Sequence, residues 1–304
     1  MRQPWRSLAL VLLLVVSVAG CYLSPPEVRP GPTPAPPVLL LAVLDVGQAD
    51  SLFLRSPAGR TMLVDAGNER ADAEKRILPY MRKQGTSSLD YLVLTHPDQD
   101  HVGGMPAVLD GTKVSNFVDS AQPRVTNHAY SQTLERVRAT GVRAIKARRG
   151  ATDIDLGAGT AVQVLGPEDP LLKGEAASNN NGVALRITFG TISILLAADL
   201  EREAEERILG HAQDLRSQIL KVAHHGSQGS SSNEFLDAVQ PQVALISVGA
   251  GNSFGHPHRQ TLQRLEAQNA RVYRTDRQGT IEVFVDGVNM PSGVFTGYRV
   301  ATEK

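Results

Sequence analysis

Six consecutive residues, His96-Pro97-Asp98-Gln99-Asp100-His101, carry two imidazoles and two carboxylates. All four groups bind divalent metal ions, and nitrogen with carboxylate oxygen suits Zn²⁺ or Mn²⁺. The segment follows the apolar run Tyr91-Leu92-Val93-Leu94-Thr95 and precedes Gly103-Gly104. A buried strand ending in such a loop puts the side chains at a sheet edge, where close spacing lets them converge on neighbouring ions. His and Asp are also ordinary turn residues, but the spacing H-x-D-x-D-H between a strand and a glycine pair is far from random.

The elements that must position this loop read as alternating strands and helices. Strands are expected at Val38–Leu44, Ser51–Arg55, Thr61–Val64 and Tyr91–Thr95, with a turn at Ser56-Pro57-Ala58-Gly59. Helices are expected at Asp72–Gln84, Gly103–Leu109 and Ala129–Thr140, the last ended by Gly141. The second half repeats the flavour. It has strands at Ala161–Leu165, Val183–Phe189, Ile192–Ala197, Ile219–Val222, Val243–Val248, Arg271–Arg274, Thr280–Val285 and Val294–Tyr298. Helices at Glu201–Leu209, Glu234–Val239 and Thr261–Gln268 separate them. No internal repeat of 20–50 residues is visible. Two strand-rich halves, each with helices, fit two sheets face to face with helices outside.

The start of the chain reads as an address. Arg2 and Arg6 precede an apolar run from Leu8 to Val18 that is broken only by Ser17. Eleven residues fall short of the roughly 20 that span a bilayer, and the pattern is that of a secretory signal peptide. Val18-Ala19-Gly20-Cys21 resembles the bacterial lipobox, in which cleavage precedes a cysteine that is then acylated. A plain signal peptide cleaved nearby, or an uncleaved anchor, is the competing reading. Cys21 is the only cysteine of the chain. Its lipidation leaves no thiol for a disulfide or a metal. Ser24 to Pro37 holds seven prolines in fourteen residues. That favours an extended arm of roughly 40 Å, a stalk lifting the remaining chain off a membrane.

Composition bounds the rest. The 304 residues include 41% apolar and 20% charged side chains, excluding wholesale disorder, a collagen-like repeat and a multi-span membrane protein. Aromatics at 5% argue against a module built on many base-stacking rings. The 31 basic and 31 acidic residues cancel. Three of those bases and one acid precede Val38, leaving 28 and 30 and a charge near −2. No whole-molecule field then draws a polyanion, and only local basic patches remain for that role. Arg136, Arg138, Arg143, Lys146, Arg148 and Arg149 form one such run. It reads either as a solvated face or as a contact for substrate phosphates.

The loop resembles that of the metallo-β-lactamase superfamily, whose usual form is H-x-H-x-D-H. The variant with Asp98 in second place is similar to the soluble hydrolase domain attached to the bacterial DNA-uptake channel ComEC and to its free-standing relatives. Further motifs carry the likeness from Leu44 to about Val285. They are Asp45-Val46-Gly47-Gln48-Ala49-Asp50-Ser51, Leu63-Val64-Asp65-Ala66-Gly67 and the strand pair ending at Asp199. Lys221-Val222-Ala223-His224-His225-Gly226-Ser227, Ser247-Val248-Gly249 and Asn252-Ser253-Phe254-Gly255-His256-Pro257 complete the set. Ala49 replaces a glycine of the family pattern. The resemblance implies an α/β fold, the four-layered αββα sandwich, over residues 38–304, behind a signal peptide at 1–20 and a tether at 21–37.

It also implies roles. His96 and Asp98 would help bind one divalent ion, Asp100 and His101 a second, and Asp199 would lie between them. His224 is the preferred ligand of the third segment, with His225 beside it and His256 arriving later. Zn²⁺ is expected ahead of Mn²⁺. Three carboxylates against two dications leave net positive charge for an anionic substrate. A metal-bridged hydroxide would attack phosphorus, and His225 or His256, if free of metal, would protonate the leaving oxygen. Many family members have another histidine before the bridging aspartate. Here Asn179-Asn180-Asn181 occupies that stretch, and an amide is a weak ligand. Asp65 reads as a support for ligands, Asp45 and Asp50 as turn-formers, His258 as a helix-start residue, and His128 and His211 as bystanders.

The expected protein is thus an exported, lipid-anchored hydrolase of the bacterial cell envelope. It would act on phosphodiesters such as DNA and touch the membrane through its anchor, with no protein partner expected. An envelope esterase for small phosphoesters of the phosphocholine type, and a non-catalytic DNA-uptake accessory lipoprotein, are the rivals. Fold alone does not choose between them.

Overall fold

The computed structural model describes residues 37–123, 126–211, 213–286 and 297–304. The leader, Cys21 and all of the proline-rich arm before Pro37 lie outside the described residues. No helix among the described residues is long and apolar enough to cross a membrane.

Fourteen strands form two sheets among the described residues. The first half supplies β1 (Leu39–Val43), β2 (Leu52–Arg55), β3 (Thr61–Val64), β4 (Ser88–Leu94), β5 (Lys113–Asp119) and β6 (Arg143–Lys146). The second supplies β7 (Thr160–Gly166), β8 (Ala184–Phe189), β9 (Ile192–Leu196), β10 (Ile219–Lys221), β11 (Val243–Ile246) and β12 (Arg271–Arg274). The last two strands, β13 (Ile281–Val285) and β14 (Tyr298–Thr302), return to the first sheet. The strand orders are β14-β13-β1-β2-β3-β4-β5-β6 and β12-β11-β10-β9-β8-β7. Each sheet begins with antiparallel neighbours, then runs parallel from β3 to β6 and from β9 to β12.

Parallel neighbours need crossovers, and helices supply them: residues 70–83 between β3 and β4, 128–140 between β5 and β6, 202–209, 233–239 and 259–267 in the second half. Burying both faces of a sheet demands near-continuous apolar strands, and β1 (LLLAV) and β9 (ISILL) are buried throughout. One core fills the gap between the sheets, with Leu41, Leu54, Val93, Leu185, Ile194 and Leu245. A second lies between the first sheet and its helices, around Phe53, Leu92, Ile77 and Met105. A third lies between the second sheet and its helices, around Leu220, Ile208, Phe235 and Leu265. The layers are therefore helix, sheet, sheet, helix, as expected.

The structure corrects the sequence reading in several places. Strands β5 and β6 were not anticipated. Only the last three residues of β5 (KVSNFVD) form a fully buried run, and β6 (RAIK) is an edge strand with one buried residue. Charged edge strands are a normal guard against sheet-to-sheet pairing. The expected helix at Gly103–Leu109 is two short helices, Gln99–Val102 and Met105–Gly111. Most of the expected last strand at Val294–Tyr298 falls on residues 287–296, outside the described residues, and β14 is described over Tyr298–Thr302.

Gly103-Gly104 has a packing reason. A Cβ on Gly103 would fall 1.9 Å from the Asn68 carbonyl oxygen, and one on Gly104 2.1 Å from that of Ala66. The backbone after the ligand loop presses directly on the loop that follows β3, so no larger residue fits without moving both.

Candidate metal centre

All the chemistry-bearing residues gather at the carboxyl ends of the parallel strands, where loops of such sheets hold ligands. Asp65 follows β3, His96 follows β4, Asp199 follows β9, His224 and His225 follow β10, and Ser247 follows β11. Asp65, Ala198, His224 and His225 all have positive φ, between 48° and 59°. That region costs non-glycine residues energy and is found where side chains must be aimed.

Ligand atoms of Asp100, His101, Asp199 and His225 lie within 4.8 Å of one another. His101 Nε2 is 3.3 Å and His225 Nε2 3.6 Å from Asp199 Oδ2, and His225 Nε2 is 3.2 Å from Asp100 Oδ2. On the other flank His96 Nε2 is 3.6 Å from Asp98 Oδ2, and His224 Nε2 is 3.8 Å from the same Asp199 oxygen. The His96 and His101 rings are 4.0 Å apart. Asp199 Oδ2 is thus the atom on which His101, His225 and His224 converge.

His96, His101 and His225 are each aimed from behind. Asp65 Oδ2 accepts from His101 Nδ1 at 2.8 Å and from Thr95 Oγ1 at 2.7 Å. Thr95 Oγ1 in turn lies 3.1 Å from His96 Nδ1. His225 Nδ1 donates to the Ser247 carbonyl at 2.9 Å. The nitrogens facing the centre are then the unprotonated ones in the neutral rings, the tautomer that metals require. His224 Nδ1 is 3.4 Å from Glu201 Oε1. Ser178 Oγ donates to Asp98 Oδ1 at 2.5 Å.

His96 Nε2, His101 Nε2 and Asp199 Oδ1 are buried without a hydrogen-bond partner. Such orphaned atoms are expensive, and a cation among them removes the cost. Charge says the same. Burial opposes ionisation of Asp199, yet His101 and His225 hold its carboxyl well below the usual range. Burial likewise opposes the charge on Asp100, and His101 and His225 overcome it. Burial lowers the proton affinity of His101, but Asp199, Asp65 and Asp100 raise it far above the ordinary imidazole value. His225 moves the same way through Asp199 and Asp50. Protons on these rings stand where cations fit.

Metal must then compete with those protons. Because the two imidazole pKa values are raised, affinity for Zn²⁺ or Mn²⁺ is expected to keep climbing as pH rises above 6.5. Uptake by the metal-free protein should release about one proton per histidine displaced. Calorimetry in two buffers of different ionisation enthalpy, with elemental analysis for about two ions per chain, checks this. Binding heats that are independent of the buffer would contradict it.

The structure reassigns several expectations. His225, expected to donate a proton only if free of metal, has Nδ1 on the Ser247 carbonyl and Nε2 3.2 Å from Asp100 Oδ2, inside the donor cluster. His256 lies outside, its ring 5.6 Å from His224 and 6.2 Å from His225. Burial and then those two rings push its pKa down to about 4, so it is neutral at pH 7. Asp50 is no turn-former: it is buried, accepts from Lys221 Nζ at 2.6 Å and lies 3.5 Å from His225 Nδ1. Asn180 and Asn181 serve the backbone, bonding to Glu201 and Leu172, and Asn179 Nδ2 donates to Glu201. His258 stands at the N-cap position of the helix Arg259–Ala267, a helix-start residue as expected, and His211 pairs with Glu168. Five members of the basic run are matched by acids: Arg136 by Asp110, Arg143 by Asp153, Lys146 and Arg148 by Asp169, and Arg149 by Glu168. Sequence reasoning missed Lys221, Glu201 and Ser178. The first lies in a quoted motif, and the other two carry no local signal.

Residues 44–250 match the family described as the Metallo-beta-lactamase superfamily. The chain is 34% identical over 255 residues to ComE operon protein 3 of Bacillus subtilis, covering 79% of this chain and 32% of that protein. It is 32% identical over 281 residues to Competence protein ComA of Neisseria gonorrhoeae, covering 92% and 35% respectively. The chain therefore spans about a third of the length of these relatives. CmlA, a diiron β-hydroxylase from Streptomyces venezuelae, shares the fold at a TM-score of 0.50 and 16% identity, over 89% of this chain and 55% of that one. The parallel strands that present the histidines, the donor loop after β4 and Asp199 fall within the matched span, and the chain belongs to the metallo-beta-lactamase superfamily.

Proposed function

We propose that this metallo-beta-lactamase-fold hydrolase cleaves phosphodiesters, with single-stranded or duplex DNA as the substrate class. The observation that carries the reading is the buried Asp199, on whose Oδ2 three imidazoles converge beside the orphaned His96 Nε2, His101 Nε2 and Asp199 Oδ1. Divalent cations bound there supply Lewis-acid charge for the phosphate oxygens and acidify the attacking water. The protein's own part is placement. His96, Asp98 and His224 form one donor set, and Asp100, His101 and His225 the other. The Asp65 carboxylate behind His101 and the Ser247 carbonyl behind His225 fix those ring orientations. Three carboxylates against two dications leave positive charge that favours an anion over a neutral lactam or thioester. A polar groove of about 670 Å³ opens beside Asp98 and Asp100, lined by Gln99, Gln122, Asn127 and Ser178. Neutral amides there suit hydrogen bonds to phosphate and sugar. His256, uncharged, suits hydrogen bonding to a phosphate oxygen more than proton delivery.

A relative named for competence supports DNA. The neutralised basic run favours a second reading, a small envelope phosphodiester. Full-length protein loaded with Zn²⁺ or Mn²⁺ is expected to cut bis(p-nitrophenyl) phosphate and oligodeoxynucleotides. Cleavage of small diesters alone would shift the substrate to the second reading. No cleavage of either, with metal bound, would leave an accessory role.

The same proposal places the domain on a lipid tether at Cys21 in the cell envelope. Cys21→Ser is expected to move the expressed protein from the detergent to the aqueous phase on detergent phase separation, because the acyl chains supply the membrane affinity. Unchanged partitioning would point to an uncleaved leader helix.

A further inference from the structure

We propose that Phe254 is a stacking platform for a nucleobase of the substrate strand, at the solvent rim of the metal centre; this rests on the phosphodiesterase reading and names what flanks the phosphate. Phe254 is the exposed large hydrophobic among the described residues, at 64% exposure. A lone exposed ring is ordinary by itself. This one is set apart by what fixes it and what it faces.

Its ring is near parallel to that of His256, 24° between planes at 5.7 Å, and His256 is stacked at 29° on His225. A column of rings thus runs from solvent to the donor cluster. The loop bearing Phe254 is braced rather than loose. Asn252 Oδ1 accepts from the Phe254 and His256 amides at 3.2 and 3.0 Å, and Asn252 Nδ2 donates to the Gly249 and His256 carbonyls at 2.9 and 2.7 Å. Gln48 Nε2 meets His256 Nδ1 at 3.5 Å from the opposite loop. A pre-positioned ring with one face on His256 and the other open offers a π-surface that any base can cover, so the contact is sequence-tolerant. Low aromatic content excludes a platform of many rings; a single ring beside a chemical centre needs none of the others.

Two ring-to-ring steps separate Phe254 from the cluster, so the stacked base belongs to a nucleotide beside the scissile phosphate. The test compares hexathymidylate with an abasic hexamer of the same backbone. Phe254→Ala is expected to raise KM for hexathymidylate about tenfold, with kcat held and the abasic strand unaffected. Phe254→Trp should restore the low KM. Equal changes on both strands, or none, overturn the proposal. Should the wild type cut neither strand, whether or not it cuts bis(p-nitrophenyl) phosphate, the DNA-hydrolase reading fails and binding decides. Fluorescence of Phe254→Trp, measured against the wild-type protein, should then be quenched by hexathymidylate and not by the abasic hexamer. Absence of that selectivity overturns the stacking platform by itself.

Discussion

Asp199→Asn is expected to leave the fold intact, to halve the metal content and to lower hydrolysis of bis(p-nitrophenyl) phosphate by at least about a hundredfold. The carboxylate is buried and its Oδ2 lies 3.3 to 3.8 Å from three imidazole nitrogens, those of His101, His225 and His224. Its Oδ1 has no partner. An amide has the same shape but offers one oxygen and no charge, so it cannot serve two cations. The fold should survive for an electrostatic reason. The imidazoles hold protons because the carboxylates are there. Removing one anion lowers the proton affinity of His101 and His225, and neutral rings beside a neutral amide carry little penalty. Elemental analysis, circular dichroism and the diester assay read the three parts separately. Full metal occupancy with full activity in the variant would remove Asp199 from the centre.

The part of the site legible in the sequence was the part written locally. His96, Asp98, Asp100 and His101 stand within six residues, and a loop that short leaves them little choice but to converge. Asp199, His224 and His225 could be assigned only through family motifs, because the crossovers that bring β9 and β10 beside β4 are long-range events with no local signal. The choice between His224 and His225 was beyond sequence. Both residues have positive φ, and two adjacent side chains in that conformation can be sent to the two flanks of Asp199. Their division of labour is a backbone property, and the one-letter string does not carry it.

Much of the fold was legible because strands buried on both faces must be largely apolar, and β1, β3 and β9 are buried throughout with one polar residue each in β3 and β9. The failures have the converse cause. In β6 the alternation RAIK is exposed on three of four positions, and its charges pointed to solvent or phosphate when they in fact guard a sheet edge. In β5, Ser115 and Asn116 dilute the apolar run, and its place is fixed by parallel pairing with β4 rather than by propensity. The same blindness made Asp50 look like a turn residue. Nothing within five positions announces that its partner sits 171 residues away.

That partner carries the second large effect. Lys221→Met is expected to destabilise the protein by about 3–5 kcal/mol, the cost of leaving a buried charge unpaired. Both side chains of the Lys221–Asp50 pair are 1% exposed, and Nζ approaches Asp50 Oδ2 to 2.6 Å while also donating to the Val222 carbonyl at 3.1 Å. Asp50→Asn should cost a similar amount for the mirrored reason. The double variant Lys221→Met, Asp50→Leu should recover most of the loss, since apolar replacement of a whole buried pair is often neutral. Stability is one readout and metal affinity another. Asp50 Oδ1 lies 3.5 Å from His225 Nδ1, and the ammonium of Lys221 opposes the field that keeps a proton on that ring. With the ammonium gone, Asp50 acts unopposed, His225 holds its proton to higher pH, and metal at pH 7 should bind more weakly than in the wild type. Urea titration of the single and double variants, paired with metal affinity measured at pH 7 and pH 9, separates the two roles. Recovery of affinity at pH 9 in Lys221→Met is the expected signature. A loss that persists equally at both pH values would show that Lys221 acts through packing, and the buried pair would then have no part in setting the charge of the metal centre.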